Sequence, residues 1–117
     1  MEVHLVHQSK AGKLAVVGVL FADGAPSAAL APVWKQLPKA GGASAPKKPF
    51  DPTALLPADS GMYRYAGSLT TPPCSEGVKW IVLRRTATDA AARIGAFQAR
   101  FGATARPTQS LGEREVD

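Results

Sequence analysis

The chain has 117 residues, 45% of them hydrophobic and 20% charged, with a formal net charge of +5 and a pI of about 9.7. That length suits one domain with a modest core, and no apolar run approaches the roughly 18 residues of a transmembrane helix. The positive charge is spread along the chain, with Lys47-Lys48 and Arg84-Arg85 as the only close clusters, so it reads as a solvated surface, and neither nucleic acid nor a membrane is expected as a partner.

EVHLVH, residues 2–7, alternates and is rich in β-formers, which predicts a strand. Gln8 to Gly12 forms a turn, and KLAVVGVLF (residues 13–21) is a near-continuous apolar run, as in a strand buried on both faces. The short connection predicts an antiparallel hairpin. Ala28 to Leu37 is predicted to be a helix, with Pro32 tolerated near its first turn. Lys39 to Pro52 is rich in Gly, Pro, Ala and Lys and reads as a loop. ALLPADSGMYRYAGSLTTPPCSEG (residues 54–77) mixes short apolar pieces with turns. VKWIVLRR is a third strand. Asp89 to Phe101 places Ala90, Ile94, Phe97 and Phe101 on one helical face, capped by Thr88 or Asp89 and stopped by Gly102. ARPTQSLGERE trails off as an irregular tail.

Two constellations could carry chemistry. Residues two apart in a strand share a face, so Glu2, His4 and Val6 point one way and Val3, Leu5 and His7 the other. An imidazole is the commonest metal ligand, and its second nitrogen usually donates to a carboxylate; Glu2 and His4 could form such a pair. A lone strand histidine is, however, often a satisfied core or surface residue. A catalytic zinc takes three protein ligands, whereas this chain has two histidines, which face opposite ways, and one cysteine, Cys74. The second constellation is GSLTTPPCSEGVKW (residues 67–80). Pro72-Pro73 lacks two backbone donors and fixes two φ angles, holding the hydroxyls of Thr70 and Thr71 in place. A threonine hydroxyl both donates and accepts and can orient a water or hydroxide; equally, the segment could be a rigid turn. Cys74 alone reads as a small buried side chain and excludes an internal disulfide.

Taken together and in order, EVHLVH, LAVVGVLF, YRYAGSLTTPPCSEGVKWIV and ARPTQSLGER resemble the α-class carbonic anhydrases of bacterial type, zinc enzymes that interconvert carbon dioxide and bicarbonate. The resemblance runs from Glu2 to about Arg114, is closest in YAGSLTTPPCSEGVKW and weakest over residues 25–50. It implies a mainly β fold with a few helices (α+β), part of a large, mostly antiparallel twisted sheet, with residues 1–117 forming the C-terminal portion of a single domain.

Residue by residue, the resemblance implies that His4 is one of three zinc-ligating histidines, that Glu2 hydrogen-bonds it, and that His7 is a buried non-ligand. It makes Thr70 the group that orients zinc-bound hydroxide and Thr71 its neighbour at the substrate. Val6, Val16, Leu69, Val78 and Trp80 match the apolar substrate pocket, Tyr65 a supporting tyrosine that hydrogen-bonds the threonine region, and Pro72-Pro73 a cis peptide. The other two histidines of the family, its proton shuttle and the acceptor of the Thr70 proton belong to an N-terminal half that this sequence lacks. So does the disulfide partner of Cys74 found in many exported bacterial members. Zn2+ is therefore expected as cofactor only of the complete domain, and the chain alone is expected to be inactive. A second chain or the missing half is the expected partner, and exposed strands leave open a non-catalytic module that pairs through them. Family members of this type are periplasmic or secreted; with no signal peptide before Glu2, the chain as written reads as cytoplasmic.

Overall fold

Strand β1 (Glu2–Gln8) and strand β2 (Leu14–Asp23) pair antiparallel, Glu2 facing Leu20, His4 facing Gly18 and Val6 facing Val16. The turn between them closes through Ser9, whose N–H donates to Lys13 O (2.9 Å) and whose hydroxyl accepts from the Lys13 N–H (3.0 Å). The hairpin read from the sequence is therefore present. The computed structural model describes residues 1–58 and 61–117; Asp59 and Ser60, in the turn-rich segment, lie outside the described residues.

Beyond the hairpin lie strands β3 (Met62–Ser68) and β4 (Glu76–Leu83), which pair antiparallel, and the short β5 (Ala87–Asp89). The sheet runs β1-β2-β4-β3, with β5 also on β2. The β2–β4 and β2–β5 pairings are parallel, so this part of the sheet is mixed. The sequence reading had no strand at 62–68, although Tyr63 and Tyr65 alternate with polar Arg64, a period of two.

Register sorts the side chains of β2 onto two faces. Val19 and Phe21 pack with Leu30, Leu55 and Leu83 in one buried cluster, and Val3, Leu5 and Ile81 lie against it. Val16 packs on the opposite face with Val78 and Trp80. β2 is thus covered on both sides, as its unbroken apolar run requires, although Leu20 is 39% exposed.

The helix predicted over residues 28–37 shrinks to α1 (Ala31–Trp34), a single turn with Pro32 near its start. Pro38 follows four residues later, and the residue before a proline is biased out of the helical region. Residues 39–51 are loop, followed by a 3₁₀ turn (Pro52–Leu55) started by Asp51, whose carboxylate accepts from the Thr53 N–H. Helix α2 (Ala91–Phe101) ends at Gly102, where φ is +71°. Neither Thr88 nor Asp89 caps it: the N-cap is Ala90, because Asp89 is turned inward to tertiary partners. No described helix is long and apolar enough to cross a membrane.

Candidate active site

One face of the sheet gathers the predicted residues into two rows. His4, Gly18, Val82 and Tyr63 form the first, and Val6, Val16, Trp80 and Tyr65 the second. Directly opposed residues share a face, so Glu2 and His4 stand above the buried Val16–Val78–Trp80 cluster, with Leu69 and Tyr65 packed at its margin. Trp80 meets the His4 ring edge-on, with centroids 4.8 Å apart and planes at 79°. The Tyr65 ring stacks parallel to Trp80 at 6.2 Å. Tyr65 reaches neither threonine through a hydrogen bond among the described residues; in place of the expected contact to the threonine region, it is held by stacking. Burial, then the nearby Glu2 carboxylate, push its hydroxyl pKa up, and Arg114 opposes them.

His4 Nε2 lies 3.1 Å from Glu2 Oε1, so the same-face pairing read from the sequence is realised. This nitrogen is buried and forms no well-aligned hydrogen bond: the distance is right but the angle is open. Neither ring nitrogen of His4 makes a hydrogen bond among the described residues; Nε2 is the one with a carboxylate oxygen beside it, at 3.1 Å. His7 is on the other face, as alternation demands, but it is exposed rather than buried, its Nδ1 2.9 Å from Leu5 O. Val6 also departs from expectation. It is opposite Val16 but 59% exposed and outside the buried cluster, because β1 has no neighbour on its outer side among the described residues.

A cavity of about 500 Å3 lies over this face, lined by Glu2, His4, Tyr65, Thr70, Trp80 and Val82 and walled on the far side by the tail from Arg106 to Val116. Val16, Leu69 and Val78 form the packed layer beneath it rather than its surface. The tail has no regular structure, but it is anchored. Arg106 Nη1 donates to Ser68 Oγ (2.8 Å), Arg114 Nη1 donates to Ala66 O (3.1 Å), and Asp117 exchanges backbone hydrogen bonds with Arg64. Sequence reading missed this wall; the arginines at 106 and 114 were its only signal.

The threonine loop is held at both ends. Trp80 Nε1 donates to Ser68 O (2.9 Å), Leu69 N–H to Ser75 O (2.9 Å) and Cys74 N–H to Thr71 O (2.9 Å). The Pro72-Pro73 peptide is cis. Thr70 and Thr71 are exposed, with Thr70 on the cavity. Cys74 is a partly buried free thiol.

A model of the eukaryotic-type carbonic anhydrase domain matches residues 1–117. The chain belongs to the α-carbonic anhydrase family. It is 41% identical over 118 residues to a carbonic anhydrase of Nostoc sp. and 42% identical to one of Klebsiella pneumoniae, in each case across 99% of the chain but only 45% and 48% of the relative. The solved α-carbonic anhydrase of Thermovibrio ammonificans, in complex with the inhibitor sulfanilamide, superposes with a TM-score of 0.90 at 40% identity, covering 98% of this chain and 52% of that one. The chain thus spans about half the length of the carbonic anhydrases it matches.

Zinc is the metal this family implies, and the residues present do not by themselves fit it. No three His, Cys, Asp or Glu side chains converge among the described residues. A catalytic zinc takes three protein ligands, and of the residues expected to bind it only His4 is present. Thr70, His4 and the apolar layer are brought to one face; a metal-holding set is not.

Proposed function

We propose that these residues supply one metal ligand, its orienting carboxylate and the apolar floor of a carbonic anhydrase centre for the reversible hydration of carbon dioxide, and that the remaining ligands come from protein outside residues 1–117. The observation that carries this reading is the approach of Glu2 to Nε2 of His4 on the sheet face that also holds Trp80 and opens toward Thr70. A small nonpolar substrate is favoured by a dry concave surface, which Val16, Val78 and Trp80 support from below. Thr70 is assigned to orient the nucleophile, since its hydroxyl can accept one hydrogen bond and donate another, with Thr71 beside it at the substrate. The disulfide partner of Cys74 and the proton shuttle are likewise assigned to protein beyond these residues.

The test is zinc stoichiometry and carbon dioxide hydration by the purified chain, alone and mixed with the N-terminal half of the Nostoc relative. The expected result is no stoichiometric zinc and no inhibitor-sensitive turnover alone, with metal uptake on mixing. One zinc per chain with inhibitor-sensitive turnover from the chain alone would overturn the shared-site reading.

One observation favours a second reading, a module that pairs through an exposed strand. Met1 and Phe21 exchange backbone hydrogen bonds of 3.0 and 2.8 Å. In an antiparallel ladder such pairs alternate, so Glu2, His4, Val6 and Gln8 direct their N–H and C=O groups to the open edge of β1. An edge of this kind accepts an added strand. A folded, metal-free monomer that captures an extended peptide without gaining turnover would favour this module over the enzyme.

A further inference from the structure

Gly18 lies in the interior of β2, between Val17 and Val19, and is itself buried. Glycine in a strand interior costs roughly 0.5–1 kcal/mol relative to alanine, so its presence calls for a reason. Backbone conformation is not the reason, because Gly18 is not among the positive-φ residues. Space is. A Cβ built on Gly18 would stand 2.7 Å from Glu2 Oε1 and 3.8 Å from Glu2 Cδ, and 3.5 Å from Val82 Cγ2.

The register explains why the carboxylate is there. Gly18 is directly opposite His4, while Glu2 is opposite Leu20, one step along the same face. To reach Nε2 of His4, the Glu2 side chain leans across the position that a Gly18 side chain would fill. Nε2 is buried and Glu2 Oε1 is the carboxylate oxygen beside it, at 3.1 Å. A displaced carboxylate carries this charged oxygen away from the buried nitrogen. On its other side the imidazole is held edge-on by Trp80, so the ring cannot swing to follow a displaced Glu2.

We propose that Gly18 is a positioning residue for His4: its missing side chain is the space through which Glu2 reaches Nε2, and it thereby decides which ring nitrogen carries the proton and leaves Nδ1 as the nitrogen free to accept a metal. The consequence for metal binding rests on the reading of His4 as a ligand; the Gly18–Glu2–His4 coupling does not, and the experiment reads that coupling in the metal-free chain.

The test is long-range 1H–15N NMR of the His4 ring in the whole chain, at a fixed pH well above the imidazole range, for wild type, Gly18→Ala, Glu2→Ala and the double variant. Wild type is expected to show the proton on Nε2. Gly18→Ala is expected to weaken that preference about fivefold, on the order of a close charge contact near the surface. Glu2→Ala is expected to weaken it similarly, and adding Gly18→Ala to Glu2→Ala is expected to change nothing further. If Gly18→Ala unfolds the chain, Glu2→Ala must restore folding, because the clash is with Glu2. A Gly18→Ala ring indistinguishable from wild type, a further change in the Glu2→Ala background, or a double variant that stays unfolded would each overturn the proposal. Failure of zinc uptake in the mixed halves, with the NMR pattern intact, would sink only the ligand reading of His4.

Discussion

Asp89 accepts a 2.6 Å hydrogen bond from the indole Nε1 of Trp34, a partner 55 residues away. Asp89 is fully buried, and the same carboxylate accepts from Ser27 N (2.9 Å), Ala90 N (2.9 Å) and Arg93 Nη1 (3.2 Å). One side chain therefore joins the 25–34 segment to the start of α2. Asp89→Ala leaves two part-buried backbone donors and an indole N–H without their buried acceptor, each loss costing on the order of 1 kcal/mol. We expect a drop in unfolding free energy of about 3 kcal/mol or more, read from the urea midpoint. A loss under about 1 kcal/mol would show that water or rearrangement replaces these bonds.

The same site sets part of the acid stability. Burial alone would raise the Asp89 pKa, but the hydrogen bonds from Ser27, Ala90 and Trp34 and the charge of Arg93 outweigh it and hold it below the usual 3.8. A carboxyl depressed in the folded state stabilises fully above its unfolded pKa, and that contribution is lost as pH falls through the folded value. Stability should thus decline below about pH 4, with Asp89→Asn flattening that decline while lowering stability at neutral pH. Urea titrations across the acid range decide it: equal slopes for wild type and variant would contradict the assignment.

Gly67 holds the second tight position under the site. A Cβ there would come within 2.8 Å of Trp80 Cδ1 and 3.2 Å of Tyr65 Cε2, the two stacked rings. Gly67→Ala is expected to destabilise by about 1–3 kcal/mol, as overpacking does, and to alter tryptophan fluorescence. The emission change distinguishes a displaced Trp80 from a general loss of stability, since Gly12→Ala, at an open turn with φ +78°, should lower stability without moving the emission of the folded state.

Much of this was legible because one period governs it. In EVHLVH the two-residue repeat alone separates Glu2 and His4 from His7, and the structure keeps that division. β2 was legible because a strand buried on both faces has no polar alternation to obscure it. β3 was not, since its alternation is carried by only Tyr63 and Tyr65 amid turn residues. The cavity wall was not either: its position comes from arginine side chains reaching carbonyls and hydroxyls far away in sequence, which no local pattern encodes. Gly18 was illegible for a related reason. Its role exists only once the cross-strand register sets it beside His4 and under Glu2. The family pattern puts Val6 in the wall of the substrate pocket and buries His7; the edge position of β1 leaves both exposed.

That edge gives the last prediction. The Val6 N–H faces away from β2, whereas Leu5 is in a bonded pair with Val17 by the alternation established at Met1–Phe21. Proline removes one N–H and is tolerated on an outward-facing edge. Val6→Pro should therefore keep the β1–β2 ladder while blocking strand addition, and Leu5→Pro should break the ladder. An open edge with a 59% exposed valine promotes self-association. Light scattering over a concentration series should show wild type growing in mass and Val6→Pro remaining nearer to monomer, with unfolding midpoints confirming that Val6→Pro is folded. If a folded Val6→Pro chain associates as wild type does, association runs through another surface, and β1 is not the pairing edge.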